Sequence, residues 1–293
     1  MTVLATEGAP AKVNLCLFLG PTRADGRHQL VTLFDSIALT DELEVMDAAA
    51  DQVVCDGVEG PNLVTGALSA LRAAGWSAPP VCVRIRKRIP VAAGMGGGSA
   101  DAGAMLRLAP RLAPVTADVL AEIAAGLGAD GPAQLRPGPS LGTGAGEILE
   151  PLPALPPYGV LVLPQPFPLA TADVYREADR LGLSRPVAEL SALRSELSAA
   201  LPATVPAELV VNDLGRAALS LRPEIAAALD RARDAGADQA IVCGSGPTSI
   251  GIFWGPDGGE RARAAAAGPA SAHPGAVAAQ PVVRGVRAST ANE

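Results

Sequence analysis

The glycine-rich run GMGGGSAD at residues 94–101 restricts what this chain can fold into more than any other feature of its sequence. Alternating apolar residues precede it, as in a strand, and an Ala-rich segment typical of a helix follows it. Glycines allow the backbone to approach a bulky anion, and the N-terminus of a helix offers unpaired N–H groups to that anion. The run therefore indicates either a phosphate loop or a flexible turn between a strand and a helix.

The spacing of this run excludes two familiar phosphate loops. The Walker pattern needs Gly-Lys-Ser/Thr, whereas Ser99 follows Gly98 directly. A dinucleotide-binding G-x-G-x-x-G pattern has its third glycine position on Ser99 or Asp101, depending on the glycine from which the count starts. A phosphate site in this run is therefore of another type.

The segment APAKVNLCLFLG at residues 9–20 reads as a strand in which one face begins with polar residues. Because strands alternate with a period of two, we expect one face to carry Val13, Leu15, Leu17 and Leu19 and the other to carry Lys12, Asn14, Cys16 and Phe18. Lysine is rare here, since 21 of the 23 basic residues are arginine and only positions 12 and 87 are lysine. A compact ammonium suits a site that needs one small cation beside a reacting oxygen. Lys12 is therefore a candidate functional residue.

Other segments predict a mixture of strands and helices. Strands are predicted where apolar residues alternate, and helices where they recur at helical spacing before a glycine. The predicted strands lie at 36–45, 81–89, 159–166, within 239–255 and at 282–290, and the predicted helices at 62–75 and 116–130. The proline-dense segment EPLPALPPYG at 150–159 predicts a domain boundary. We assign no secondary structure to 256–280, because this segment is rich in Ala, Gly and Pro.

Composition limits the possible partners. The chain has 293 residues, of which 49% are hydrophobic, and a net charge of −7. Nucleic acids and anionic membranes attract clustered Lys and Arg, so we expect neither as a partner. There is no signal peptide and no apolar run of about 18 residues, which predicts a soluble, cytoplasmic protein. Four scattered cysteines and two histidines suggest neither a disulfide framework nor a zinc site.

Five motifs follow one another along the chain: APAKVNLCL, RADGRHQL, IPVAAGMGGGSADAGAML, GLGADGP and CGSGPTS. With these motifs the sequence resembles the GHMP small-molecule kinases over nearly its whole length. The resemblance implies an α+β fold with a ribosomal-S5-like domain at 1–152 and a ferredoxin-like domain at 158–293. It also implies a phosphotransferase with an alcohol acceptor that uses ATP and Mg²⁺, as a monomer or a homodimer.

Within this family the chain is similar to members that act in the non-mevalonate route to isoprenoids. The resemblance thus implies ATP and a cytidine diphosphate-linked methylerythritol as the small-molecule partners, with phosphorylation at the C2 hydroxyl. Two alternatives remain open. One is a GHMP kinase that acts on a different polyol or sugar alcohol, and the other is a non-catalytic nucleotide-binding relative.

The resemblance also assigns roles to individual positions. The catalytic pair falls on Lys12 and Asp130. The ATP-binding loop falls on Pro90, Val91, Ala92, Ala93, Gly94, Met95, Gly96, Gly97, Gly98, Ser99 and Ala100. The substrate-binding residues are Asn14, Asp25, Gly26, Arg27, His28 and Tyr175, and the loop that closes the cleft consists of Gly244, Ser245 and Gly246. Ser99 is the candidate Mg²⁺ ligand, because a hard cation prefers oxygen.

The sequence departs from the pattern of the family at position 27 and in the segment 131–133. Arg27 stands where the family usually has Tyr, so an aromatic partner for the base is missing, although a guanidinium plane can also stack on a base. After Asp130 the usual Val-Pro-Phe is replaced by Gly-Pro-Ala at 131–133, which predicts looser packing beside that carboxylate. Taken alone, Asp130 is also consistent with an ordinary turn residue and Tyr175 with an ordinary core residue.

Overall fold

The framework of the computed structural model, which describes residues 2–58 and 62–282, is a pair of sheets. In the first sheet a long hairpin of two 20-residue strands carries shorter strands along its second strand. Its strands are β1 (Val3–Thr22), β2 (His28–Asp47), β3 (Gln52–Cys55), β4 (Val81–Arg86), β5 (Ser140–Thr143) and β6 (Ile148–Pro151). Neighbouring strands are hydrogen-bonded in the order β3-β4-β2-β5-β6, and β1 pairs with β2.

The second sheet has four antiparallel strands in the order β10-β7-β9-β8. Numbered within this half, the order is 4-1-3-2 and the elements alternate as in a ferredoxin-like βαββαβ unit. The strands are β7 (Tyr158–Leu163), β8 (Gln239–Val242), β9 (Ser249–Trp254) and β10 (Val277–Ala279). The predicted α+β class is thus confirmed.

The helices cover these sheets, and some of them begin at a side-chain cap. They are α1 (Leu63–Ala73), α2 (Gly97–Leu112), α3 (Ala117–Gly126), α4 (Gly131–Leu135), α5 (Thr171–Arg180), α6 (Val187–Ala200), α7 (Leu214–Leu221), α8 (Ile225–Asp234) and α9 (Gly258–Ala267). The Asn62 side chain caps α1 by accepting from the N–H of Val64, and the Thr116 hydroxyl caps α3 by accepting from the N–H of Val119. Both predicted helices are confirmed.

The predicted alternation along β1 is wrong beyond Leu15. A β-bulge between Asn14 and Cys16 shifts the pairing of β1 with β2 by one residue. Val13 and Leu15 lie in the large hydrophobic core, but after the bulge Cys16 and Phe18 join this core. Leu17 and Leu19 pack instead with residues of α5 and α7. Both faces of the strand are therefore buried, and the polar residues Lys12 and Asn14 lie before the bulge.

The segment 256–280, to which the sequence assigned no structure, contains α9 and β10. Helix α9 is rich in Gly, Ala and Arg and packs closely on β7. A Cβ on Gly159 of β7 would lie only 2.3 Å from the carbonyl oxygen of Gly258, so a larger residue would force the helix away from the sheet. The strand predicted at 282–290 lies, from residue 283 onward, outside the described residues.

The proline-dense segment connects β6 of the first sheet with β7 of the second. Main-chain bonds join the two parts, since Leu17 donates to the carbonyl of Val211 at 2.8 Å and accepts from the N–H of Asp213 at 2.9 Å. The hydroxyl of Tyr158 also donates to Asp35 at 2.8 Å. The domain boundaries at 152 and 158 remain a prediction.

Candidate active site

A lysine and an aspartate that are 118 positions apart in the sequence meet at the centre of the candidate site. The Nζ atom of Lys12 lies 3.6 Å from Oδ1 of Asp130. Lys12 comes from β1 and is only 8% exposed, whereas Asp130 lies in the turn between α3 and α4. The carboxylate of Asp130 makes no capping bond to α4 and is therefore available to face the ammonium.

A chain of hydrogen bonds fixes the position of the Lys12 side chain. Its ammonium donates to Oδ1 of Asn14 at 2.9 Å, and the amide of Asn14 donates to the hydroxyl of Thr32 at 2.8 Å. That hydroxyl donates in turn to the carbonyl of Cys16 at 2.6 Å. The ammonium also lies 5.2 Å from the centroid of the Phe34 ring, within the range of a cation–π contact. Asn14 therefore orients Lys12.

The glycine-rich run passes directly over this pair. Gly96 has a φ of +65°, in the left-handed region that favours glycine. A Cβ at this position would lie 3.0 Å from Cγ of Lys12 and 3.3 Å from Oδ2 of Asp130. The N–H of Lys12 donates to the carbonyl of Met95 at 3.1 Å, which ties the loop to β1. Glycine is thus required at position 96 on two grounds.

Helix α2 begins immediately after Gly96 without a side-chain cap and without an acidic residue in its first turn. The N–H groups of its first residues therefore have no partner within the helix, and the positive end of the helix dipole faces the loop. This arrangement suits the binding of a phosphate group. It agrees with the phosphate-loop interpretation of the run, and the ATP-binding role of residues 90–100 remains a prediction.

The packing of Asp130 differs from the expectation drawn from residues 131–133. Gly131 is buried, and a Cβ on it would lie only 1.9 Å from the carbonyl oxygen of Ala124. Helix α4 therefore approaches the end of α3 more closely than any side chain would permit. The prediction of looser packing beside the carboxylate is wrong, because the glycine allows the turn that carries Asp130 to pack against backbone.

Sequence reasoning missed the second lysine of the chain as part of this site. Lys87 follows β4, and its ammonium lies between two buried carboxylates, with Oδ2 of Asp101 at 2.7 Å and Oδ2 of Asp41 on the other side. Its Nζ atom is 3.3 Å from the position of a Cβ on Gly97, the first residue of α2. Both lysines of the chain therefore lie beside the glycine-rich run. The scarcity of lysine was a signal that could have identified Lys87.

The two carboxylates share one ammonium, and burial in this cluster alters the titration of Asp101 and Lys87. Burial raises the pKa of Asp101 to about 7, against the lowering effect of the neighbouring ammonium of Lys87. Burial acts to lower the pKa of Lys87, but the two carboxylates outweigh it, and the net pKa is raised. The lysine therefore stays charged, and the cluster holds the segment after β4 against α2.

A cavity of about 500 Å³ connects these groups. Of the residues assigned from the sequence, those that line it are Lys12, Asn14, Pro90, Val91, Ala92, Ala93, Gly94, Met95, Gly96, Gly97, Gly98, Ser99, Asp130, Tyr175, Gly244 and Ser245. The sequence did not indicate several further lining residues, namely Cys55, Val58, Asn62, Leu63 and Lys87. The catalytic, loop and cleft-closing assignments thus converge on one cavity.

Residues 25–28, which the sequence assigns to substrate binding at the cytidine base, lie beside this cavity and are not among its lining residues. Asp25, Gly26 and Arg27 form a turn, in which Arg27 is half-exposed and lies 3.4 Å from Asp25. His28 is 6% exposed, with its Nδ1 3.0 Å from the carbonyl oxygen of Gly20. Its ring lies 5.3 Å from the ring of Tyr175, which does line the cavity. Their assignment to substrate binding remains a prediction.

Tyr175 lies between His28 and the lysine–aspartate pair. Its ring contacts the ring of His28, and its hydroxyl group interacts electrostatically with the carboxylate of Asp130. Burial raises the pKa of the Tyr175 phenol to about 12, and the negative charge of Asp130 adds to this shift. Tyr175 therefore stays neutral and presents an aromatic surface close to the lysine–aspartate pair.

The C-terminal glycine loop closes over Lys12 and Asn14. A Cβ on Gly244, whose φ is +55°, would lie 3.3 Å from Oδ1 of Asn14 and 3.5 Å from Nζ of Lys12. The side chain of Asn212 holds this loop by donating to the carbonyl oxygens of Val242 at 2.7 Å and Gly244 at 2.6 Å. Sequence reasoning assigned no role to Asn212, because its partners are backbone atoms that no pattern of side chains reveals.

Comparison with known proteins identifies the family. The model of the GHMP kinases N terminal domain matches residues 62–137, and that of the GHMP kinases C terminal region matches residues 207–270. The 4-diphosphocytidyl-2-C-methyl-D-erythritol kinase of Streptomyces coelicolor is 42% identical over 261 residues, which cover 83% of this chain and 86% of that relative. The chain belongs to the GHMP kinase family. This GHMP kinase is therefore a small-molecule kinase that uses ATP, as the resemblance implied.

Solved structures of related proteins share its fold. A crystal structure of a 4-(cytidine 5'-diphospho)-2C-methyl-D-erythritol kinase matches this GHMP kinase with a TM-score of 0.75 and 34% identity, covering 94% of this chain and 98% of that chain. The homoserine kinase from Cytophaga hutchinsonii matches with a TM-score of 0.67 at 17% identity, covering 97% of this chain and 96% of the other. The second likeness concerns the fold alone. Among the described residues of this GHMP kinase, no helix is both long enough and apolar enough to span a bilayer.

Proposed function

We propose that this GHMP kinase transfers the γ-phosphoryl group of ATP to the C2 hydroxyl of 4-diphosphocytidyl-2-C-methyl-D-erythritol, in the synthesis of isoprenoid precursors. The observation that carries the reaction is the Lys12–Asp130 pair beneath the glycine-rich run, in the same cavity as the N-terminus of α2. The choice of acceptor is supported by the relative from Streptomyces coelicolor, whose name states this substrate. The proposal includes a cytoplasmic location and a monomer or homodimer.

Asp130 and Lys12 have complementary tasks in this reaction. The C2 oxygen attacks the γ-phosphorus, the bond from that phosphorus to the β–γ bridging oxygen breaks, and ADP leaves. Asp130 orients the hydroxyl group and accepts its proton. Lys12, whose Nζ atom lies 3.6 Å from Oδ1 of Asp130, stabilises the negative charge that develops during transfer. Phosphoryl transfer depends mainly on such alignment and charge neutralisation.

The protein holds this pair in place before substrate binds. Lys12 is fixed by Asn14, which is fixed in turn by Thr32, and Gly96 leaves no space above the pair. A preorganised cation needs little rearrangement when charge develops, which is the basis of its catalytic effect. In the proposed roles, Asn14 positions Lys12 and contacts substrate, and residues 244–246 close the cavity over both.

Magnesium fits this site as a cation that arrives with ATP. The described residues contain no cluster of three His, Cys, Asp or Glu side chains that could hold a metal on its own. Mg²⁺ is commonly bound through phosphate oxygens, water and one or two protein oxygens. Ser99, in the first turn of α2, and Asp101, whose buried Oδ1 has no partner among the described residues, both line the cavity. Bound Mg²⁺ would neutralise phosphate charge, with Ser99 as its proposed protein ligand.

The catalytic roles are tested with Lys12→Ala and Asp130→Asn. Each variant is expected to lower the turnover rate by at least about 10²-fold, since each removes a preorganised group of the reaction. ATP affinity, measured by isothermal titration calorimetry, is expected to change little. Asp118→Asn, at an exposed position on α3, is the matched control and is expected to keep wild-type turnover. Wild-type turnover in both site variants would contradict the proposal.

The proposed acceptor is tested by comparing substrates. The kcat/KM of the wild-type enzyme is measured with the cytidylyl substrate, with mevalonate and with homoserine under identical ATP and Mg²⁺ concentrations. We expect a clear preference for the cytidylyl substrate. Preference for either of the other alcohols would refute the assignment, whereas Lys12 and Asp130 could retain their roles in a kinase with another acceptor.

A further inference from the structure

The imidazole of His28 is held on three sides by the protein. Its Nδ1 donates to the carbonyl oxygen of Gly20 at 3.0 Å, because a carbonyl can only accept. Its Nε2 lies 3.2 Å from Oδ1 of Asp179. One face lies against Tyr175, with ring centroids 5.3 Å apart and planes inclined at 31°. The ring is therefore fixed in position and orientation.

Helix α5 provides two of these three contacts. Tyr175 and Asp179 are four residues apart, so they lie on the same face of α5, one turn apart. The third contact comes from Gly20 on β1, and His28 itself begins β2. The imidazole thus joins α5 to the hairpin of the first sheet. The position of α5 determines in turn where the ring of Tyr175 lies in the cavity.

Both ring nitrogens of His28 face acceptors of the protein, and the side chain is only 6% exposed. The ring of Tyr175, which the imidazole contacts, lines the cavity. An aromatic face is a suitable surface for a nucleobase. In this geometry the imidazole supports Tyr175.

We propose that Asp179 is a positioning residue for the nucleobase end of the substrate, acting through His28 on the ring of Tyr175. This inference rests on the proposed function, because it assumes an acceptor substrate with a base. Asp179 itself is about half-exposed, and a polar contact made by a half-exposed side chain contributes little to global stability. Its loss is therefore expected to loosen the aromatic surface without unfolding the protein. The predicted ATP loop lies on other elements and is expected to be unaffected.

The test compares Asp179→Ala with Asp173→Ala. Asp173 lies on the same helix and forms an exposed ion pair with Arg176, which makes it a matched control. For Asp179→Ala we expect the KM of the cytidylyl substrate to rise about fivefold, the size of effect that a contact to a half-exposed carboxylate supports. The KM of ATP, the kcat and the melting temperature are expected to remain at wild-type values. Asp173→Ala is expected to match the wild type in all four.

Direct binding provides a second readout. Isothermal titration calorimetry with cytidine 5′-diphosphate and with ADP is expected to show a loss of affinity of about fivefold for the cytidine compound only, by the same reasoning. The chain contains two histidines, His28 and His273, so the nitrogen resonances of His28 can be followed by NMR. We expect the resonances of His28 to shift in Asp179→Ala and those of His273 to stay in place.

Three results would contradict the proposals, and they have different meanings. Unchanged KM and unchanged affinity for cytidine 5′-diphosphate in Asp179→Ala, in an enzyme that phosphorylates the cytidylyl substrate, would overturn the role of Asp179 alone. An equal rise in the KM of ATP would also overturn it, because it would show a general structural role. A wild-type enzyme that binds no cytidine 5′-diphosphate and prefers another alcohol would overturn the proposed function, and this inference with it.

Discussion

Replacement of Gly96 by alanine tests whether the glycine-rich run is shaped around the Lys12–Asp130 pair. The added Cβ would lie 3.0 Å from Cγ of Lys12 and 3.3 Å from Oδ2 of Asp130. Carbon atoms in ordinary contact are about 3.5 to 4.0 Å apart. Both side chains must therefore move by a few tenths of an ångström, in a pair whose nitrogen and oxygen are now 3.6 Å apart. The substitution acts on the geometry of the site without removing a functional group.

The expected effects have two sources of different size. Alanine in the left-handed conformation of residue 96 costs about 1–2 kcal/mol, which should lower the free energy of unfolding by that amount. A misplacement of about 1 Å at a reacting centre can cost about 10²-fold in rate. For a smaller displacement we expect kcat to fall by at least about tenfold. The loss of activity should therefore exceed what partial unfolding explains.

Gly126→Ala, at the end of α3, is the matched control. A Cβ at position 126 would meet no atom within 4 Å, and its φ is not in the left-handed region. Alanine is favoured over glycine within a helix, so the free energy of unfolding of this variant should not fall. The assays are ADP release at saturating substrates and unfolding in urea. A kcat of Gly96→Ala equal to that of the wild type, in a folded protein, would refute the reasoning.

Three further substitutions test other parts of the account. Asn212→Ala leaves the carbonyls of Val242 and Gly244 without their donor. This is expected to lower kcat about tenfold and the free energy of unfolding by about 1–3 kcal/mol. Wild-type kinetics would contradict the role of Asn212 in holding the loop. Lys87→Ala leaves the buried carboxylates of Asp41 and Asp101 without their ammonium, so the free energy of unfolding measured in urea is expected to fall by about 3–5 kcal/mol. Unchanged stability would contradict the role of Lys87 in holding this cluster together. Arg27→Tyr is expected to lower the KM of the cytidylyl substrate by supplying an aromatic partner for the base; a higher KM would show that Arg27 is itself the contact.

Much of the candidate site was predictable because its residues lie in short motifs. Lys12 and Asp130 are far apart in the sequence, and no periodicity relates them, but the order of the motifs assigned them to one pair. The α+β class followed from the resemblance to the GHMP kinases, and both predicted helices followed from apolar residues at helical spacing before a glycine. These features depend on residues close together in the chain, which a sequence pattern can represent.

The features that were missed depend on contacts between distant segments. The bulge between Asn14 and Cys16 is accommodated because both faces of β1 are covered, the second by helices from the C-terminal half. Helix α9 forms in an Ala- and Gly-rich segment because close packing on β7 stabilises it. Asn212 acts on backbone carbonyls about 30 residues further along the chain, so its role is visible only once the loop is folded.

The position of phosphate in the product tests the central claim most directly. The wild-type enzyme is incubated with ATP, Mg²⁺ and 4-diphosphocytidyl-2-C-methyl-D-erythritol, and the products are followed by ³¹P NMR. We expect one new phosphomonoester on C2 for each ADP formed, with the cytidine diphosphate linkage intact. Formation of ADP without a phosphorylated acceptor, or phosphate on another hydroxyl group, would contradict the account.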